Sequence, residues 1–319
     1  MRVVVATHGH CFDGLVSAAL FTRLLQSVEG RSLEFEYLAC GYGASQRHAS
    51  EAELTGDTNA ILDYRLTPSS RVTWAFDHHP TAFQLPGTRE LYEAGHARAR
   101  MFVDSNSSSC AKLIVSVARA HFDFHDPALD ELVAWADKVD AARFDDPEDA
   151  IDQQHPVKRL VTVVEHHANE NFITRFVPEL LQRPLGELAA QREIRDRYRP
   201  LGKKRSRFVR LLRSKCERRG RVLFADLREH QLDSVGKFVG YALHPDCVYS
   251  VMVGRQGKGA KVLVGYNPWC GTARDTDLSV ICARYGGGGH PFVGAIPLDQ
   301  EPPARAAQIA LEIANELAG

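Results

Sequence analysis

The chain of 319 residues contains no apolar run approaching the roughly 18 residues that span a bilayer, which excludes an integral helical membrane protein. Its start, MRVVVATHGH, turns polar after three valines, without the apolar core or small-residue cleavage site of a signal peptide. Paired cysteines are missing too. The seven present, at 11, 40, 110, 216, 247, 270 and 282, include no CxxC, so they read as reduced thiols of a cytoplasmic protein, not as a disulfide framework or zinc ribbon. There is no internal repeat and no low-complexity tract. Net charge is nearly absent as well, since 39 basic against 40 acidic residues leave −1. Taken as a mean this argues against a polyanion-seeking protein, but a mean conceals segregation of charge along the chain. What is present, 44% hydrophobic and 25% charged residues, is ordinary globular usage.

At roughly 150 residues per domain the length suggests two domains, and the patterning agrees. Val3-Val4-Val5-Ala6 reads as a strand buried on both faces, followed by a helix from Leu15 through Leu25. Strands are expected at 34–39, 59–63, 71–77 and 101–103, and helices at 112–120 and 129–139. This alternation predicts an α/β fold with an N-terminal, mostly parallel sheet flanked by helices. The expected boundaries are 1–185 for this domain, 186–220 for a basic helical linker and 221–319 for a second, smaller α/β domain.

Between Arg192 and Arg221, fourteen Arg and Lys residues face only Glu193, Asp196 and Glu217. Pro200 and Gly202 suggest two helices here. If the second restarts after Gly202, Lys203, Arg207, Arg210 and Arg213 share a face. A solvated linker helix and a cationic surface for a polyanion both fit this composition. Beyond it, 222–226, 248–253, 261–266 and 292–296 read as strands. Helices are expected at 235–243, with Ser234 as N-cap, and at 278–285 and 303–317.

Four places in the first half put His or Asp at the carboxyl end of an expected strand, the edge where open α/β sheets bind ligands. They are His8-Gly9-His10-Cys11-Phe12-Asp13-Gly14, Asp63, Asp77-His78-His79, and Asp137 with Asp140 nearby. Singly each reads equally as a helix cap or turn residue. Glu165-His166-His167, outside this pattern, reads as a partly exposed turn. Together, mixed carboxylates and imidazoles suit a hard-to-borderline divalent ion such as Mn²⁺. Two ions roughly 3.5–4 Å apart would activate a water and stabilise charge on a phosphoryl group.

In type and order, His8…Asp13-Gly14, Asp63, Asp77-His78-His79 and Asp137 resemble the four N-terminal motifs of the DHH phosphoesterase superfamily. Gly286-Gly287-Gly288-Gly289-His290 resembles the GGGH element of its associated C-terminal domain. The likeness extends from the first strand to about residue 296, to nanoRNase- and phosphoadenosine phosphate phosphatase-like members. It implies that His8, Asp13, Asp63, His78 and Asp137 are metal ligands, Asp63 bridging two ions, with Asp140 the alternative to Asp137. Asp77 would orient a neighbouring ligand, and His79 would serve the substrate phosphate as proton source. Gly287, Gly288, Gly289 and His290 would contact substrate, the glycine amides approaching an anion; a plain turn is the competing reading.

The sequence departs from the HxxxDxD pattern of many relatives, having Asp13 alone, with His10 and Cys11 where another ligand is expected. His10 is a candidate substitute. The implied activity is hydrolysis of phosphodiester or phosphomonoester bonds in short oligonucleotides or nucleotides, with Mn²⁺ as cofactor and Mg²⁺ or Co²⁺ as alternatives. Hydrolysis of polyphosphate or pyrophosphate, and non-catalytic nucleotide or nucleic-acid binding by an incomplete metal site, are the other readings. No membrane partner is expected, and a homodimer is compatible with the likeness.

Overall fold

Val3, Val4, Val5 and Ala6 are wholly buried, and they form the centre of β1 (Arg2–His8). The computed structural model of the protein describes all residues except 31, 42–46, 96–99, 232–237, 258 and 299–300. The chain divides into two units, Met1–Phe144 with Gln153–Tyr198, and Asp145–Asp152 with Arg199–Gly319. In the first unit, β1 is followed by α1 (Phe12–Glu29), β2 (Glu34–Cys40), β3 (Thr58–Leu62), β4 (Trp74–Asp77), α2 (Thr88–Gly95), β5 (Arg100–Val103), α3 (Cys110–Phe122) and α4 (Asp130–Asp140). The strands form a parallel sheet in the order β2-β1-β3-β4-β5. Because all run the same way, the carboxyl ends of β1, β3 and β4 lie side by side on one edge.

The stretch after α4 is more helical than its sequence suggests. α5 (Pro147–Ile151) belongs to the second unit, whereas α6 (Pro156–His167), α7 (Glu170–Leu180) and α8 (Leu185–Ala189) belong to the first. Glu165-His166-His167 is therefore the last turn of α6, not a loop turn. Proline supplies the starts of α5 and α6, where its missing N–H has no intrahelical use. The basic stretch is one helix, α9 (Arg192–Lys215), not two. Pro200 lies within it, directly after the boundary between the units at Tyr198 and Arg199. The helix continues past the lost hydrogen bond with Leu201, Phe208 and Leu212 buried along it, while Lys203, Arg207, Arg210 and Arg213 are exposed.

The second unit continues with β6 (Cys216–Arg219), β7 (Val222–Gln231), α10 (Val239–Leu243), β8 (Tyr249–Gln256), β9 (Gly259–Tyr266), α11 (Leu278–Ala283), β10 (Gly288–His290), β11 (Val293–Leu298) and α12 (Pro303–Ala318). Its mixed sheet has the order β10-β11-β9-β8-β7-β6, with β7 and β8 parallel and the other pairs antiparallel. Ile309, Ile313 and Leu317 of α12, four residues apart along one helix stripe, share a core with Val251 and Val262 of the sheet. Ser234, expected to cap the helix before β8, lies outside the described residues, as does the first part of that helix. The architecture is α/β in both units. No helix among the described residues is long and apolar enough to cross a membrane.

Candidate metal centre

The parallel edge is assembled by close backbone approach. A Cβ on Gly14 would lie 2.2 Å from the His8 carbonyl oxygen, so only glycine lets the first turn of α1 sit against the end of β1. The Thr7 hydroxyl donates to the Gly14 carbonyl at 2.7 Å and fixes that contact. Asp13, one residue earlier, is thereby buried beneath the edge. Its carboxylate accepts the backbone N–H groups of Cys110 (2.7 Å) and Ala111 (3.0 Å), so it also serves the N-terminus of α3. Asp63 follows β3 in the left-handed region, with φ +55°, a conformation aspartate tolerates better than most residues. Its N–H donates to the Phe76 carbonyl at 2.8 Å, which ties it to β4.

His78 is central to the side-chain cluster. Its Nε2 lies 3.4 Å from Asp63 Oδ1, 3.3 Å from Asp140 Oδ2 and 3.9 Å from Asp13 Oδ2. The Nδ1–H donates to the Ser107 carbonyl at 3.2 Å, which leaves the Nε2 lone pair for the cluster. His8 Nδ1 approaches Asp63 Oδ2 at 3.4 Å. Among the described residues, three sets have candidate ligand atoms within 4.8 Å of one another: His8, Cys11 and Asp63; Asp63, His78 and His79; Asp13, His78 and Asp140. Asp63 and His78 recur, so the sets form one connected centre.

Its electrostatics match a cation site. Burial opposes ionisation of Asp63, yet the neighbouring His78 and His8 imidazoles hold it well below the usual carboxylate range. Burial also opposes charge on His78, but Asp63, Asp140 and Asp13 push it up to about 10. Asp13 is driven well above its ordinary value by burial, then by Asp63 and Asp140. Three carboxylates crowd together here, and a proton on His78 is the countercharge the protein itself can provide. Neither oxygen of Asp63, which is 1% exposed, nor His78 Nε2 has a hydrogen-bond partner among the described residues. Buried polar atoms of this kind need a partner, and a divalent ion fits the mixed oxygen and nitrogen donors.

His8, Asp13, Asp63 and His78 are thus brought together, but Asp137 is not part of the cluster. Its carboxylate accepts from Arg143 Nη1 at 2.7 Å and from the Ser108 hydroxyl, and it lies 3.5 Å from Lys112 Nζ. Asp140, the alternative to Asp137 in α4, is the acid that faces the cluster, with Oδ2 3.3 Å from His78 Nε2. The two acids are three residues apart, and only the direction each faces separates them. Asp77 is wholly buried and accepts from both the N–H (3.1 Å) and Nδ1–H (2.7 Å) of His79. The His79 imidazole is disfavoured as a cation by burial, but Asp77 and Asp63 raise its pKa. His10 joins none of the three sets; its N–H donates to the Ala168 carbonyl, and burial lowers its imidazole pKa. Cys11, adjacent in sequence, is the residue of that loop that reaches the cluster.

In the second unit, the glycine run is only partly free for ligand approach. A Cβ would lie 2.3 Å from the Ala295 carbonyl oxygen at Gly287 and 2.3 Å from that of Val293 at Gly289, so packing against β11 demands both glycines. At Gly288 a Cβ would meet open space. Tyr266 and Trp269 pack against neighbouring rings, those of Tyr249 and Phe292 and those of Phe238 and Tyr241.

No family model and no curated protein matches the chain. Among solved structures it is similar to the pGpG-specific phosphodiesterase PggH from Vibrio cholerae, at 19% identity and TM-score 0.67, over 100% of this chain and 99% of that one. It is also similar to RecJ from Thermus thermophilus in complex with Mn²⁺, at 12% identity and TM-score 0.57, over 99% of this chain and 52% of RecJ. An exopolyphosphatase-related protein from Bacteroides fragilis matches at 13% identity and TM-score 0.52, over 99% and 93%. The chain has the fold of the DHH superfamily.

Proposed function

We propose that this protein is a divalent-metal-dependent phosphoesterase hydrolysing phosphodiester or phosphomonoester bonds of short oligonucleotides or nucleotides. The observation that carries this reading is Asp63, a buried carboxylate whose two oxygens lack hydrogen-bond partners among the described residues and face His8 and His78. Asp63 would be shared between two positions, with His8 on one side and Asp13, His78 and Asp140 on the other. Divalent ions held by these residues, Mn²⁺ for preference, would supply Lewis-acid polarisation of the phosphoryl group and activation of a water. The Ser107 carbonyl fixes the tautomer of His78. Asp77 orients His79 and favours its protonated form, which suits transfer of a proton to the departing oxygen. Gly288 would let a substrate phosphate approach, with Gly287 and Gly289 shaping the strand that carries it, while the His290 side chain lies outside the described residues. The likeness to a pGpG-specific phosphodiesterase supports the phosphodiester class, and the RecJ complex with Mn²⁺ supports the metal.

The test is a substrate panel with purified protein and Mn²⁺, comprising dinucleotides including pGpG, phosphoadenosine phosphate and polyphosphate, beside Asp63→Ala. Dinucleotide hydrolysis that falls by about 10³-fold or more in the variant is expected. Phosphate release from polyphosphate alone would instead favour phosphoanhydride hydrolysis, the reading that the exopolyphosphatase-related likeness supports. Tight nucleotide binding without turnover of any substrate would make the protein a binding module and overturn the proposal.

A further inference from the structure

Cys11 stands at the N-cap of α1, where Ser, Thr, Asp or Asn is the usual choice, and its side chain makes no capping hydrogen bond. The loop nevertheless holds it in a fixed place. Its carbonyl accepts the Leu15 N–H at 3.1 Å, and the neighbouring Gly9 N–H donates to the Cys40 carbonyl at 2.7 Å. There the sulfur and candidate ligand atoms of His8 and Asp63 lie within 4.8 Å of one another. The second, independent observation is Asp63 itself, 1% exposed, with both oxygens lacking a hydrogen-bond partner among the described residues. We propose that Cys11 is a thiolate ligand at the metal position formed with His8 and Asp63, making the two halves of the centre chemically unlike.

On this assignment, which rests on the site being a metal centre, one half offers sulfur, nitrogen and oxygen from Cys11, His8 and Asp63. The other offers nitrogen and two oxygens from His78, Asp13 and Asp140. Soft thiolate donors favour Zn²⁺, Co²⁺ or Fe²⁺ over Mg²⁺, whereas carboxylates accept Mg²⁺ and Mn²⁺. The Cys11 half therefore selects a borderline ion, with the thiol proton released to solvent on ligation.

The full-length apoprotein titrated with Co²⁺ provides a readout independent of turnover. A sulfur-to-cobalt charge-transfer band in the near ultraviolet is expected, present also in Cys270→Ser and lost in Cys11→Ser. No band at saturating Co²⁺, or a band that survives Cys11→Ser, overturns the assignment. In the unmodified protein, Co²⁺ or Zn²⁺ should slow iodoacetamide alkylation of Cys11, mapped by mass spectrometry, more than Mg²⁺ does. An unchanged alkylation rate with Co²⁺ bound also overturns it, and this measurement does not depend on a variant folding. Phosphoester hydrolysis without the band would sink the thiolate ligand while leaving the proposed activity standing. A band in a protein without turnover would do the reverse.

Discussion

The first unit contains two His-His pairs, each preceded by an acid, and they sit in opposite electrostatic surroundings. Asp77-His78-His79 ends a buried parallel strand, and Glu165-His166-His167 ends α6. Both pairs are half-buried, so exposure does not distinguish them. Their neighbours do. His78 faces Asp13, Asp63 and Asp140, which overcome burial and push it up to about 10. Burial lowers the pKa of His167, and Arg197, His166 and His10 lower it further. The acids differ as well: Asp77 is wholly buried against His79, whereas Glu165 is exposed. A dipeptide becomes a candidate ligand pair only where the fold brings carboxylates to it.

The sharpest way to break the comparison is to delete a ring from each pair. His78→Ala should lower Mn²⁺ affinity by at least about 100-fold, since a ligand contributes more than the groups that orient it. His166→Ala should leave affinity and turnover unchanged. Isothermal titration calorimetry and hydrolysis assays on both variants measure the contrast, and equal losses would remove it. A smaller effect tests the two acids of α4. Asp140→Asn keeps an oxygen donor but loses its charge, so it should weaken Mn²⁺ binding less than His78→Ala, by about 10- to 100-fold. Asp137→Asn should leave binding intact and cost at most about 1 kcal/mol of stability, because its partners Arg143 and Lys112 are largely exposed. The smallest effect is on the apoprotein. The His78 pKa is raised from 6.5 to about 10, so the stability it contributes is present below pH 6.5 and lost as pH rises towards 10. Thermal melting of the metal-free protein should fall across that window, and His78→Ala should flatten the trend while His166→Ala keeps it.

Much of the first unit could be read from the chain. Short apolar runs buried on both faces in β1, β3 and β4, each ending in or followed directly by His or Asp, mark the centre of the parallel sheet and its edge. The helices between 156 and 189 do carry apolar stripes, such as Phe172, Ile173, Phe176, Val177 and Leu180 of α7, but Pro178 inside that helix and the unusual cap residues His155 and Pro184 obscure their bounds. Pro200 misled in the other direction. A proline removes one backbone donor, but buried Leu201, Phe208 and Leu212 lie on a helix that runs through it. The glycine run reads alike as an anion cradle and a turn. Its pairing with β11 shows that packing requires Gly287 and Gly289, while Gly288 has open space beside it.

Residue types and their order determined the α/β class, the edge on which the chemistry gathers and the ligands His8, Asp13, Asp63 and His78 as candidates. These follow from strand periodicity and from the rule that parallel strands end on one side. Tertiary structure decided that Asp140 and not Asp137 faces His78, and that Cys11 and not His10 reaches Asp63. The reason is directional. Neighbours three residues apart on a helix, or adjacent in a loop, differ little in sequence terms, while a rotation about the local axis sends one carboxylate to Arg143 and Lys112 and the other to the imidazole.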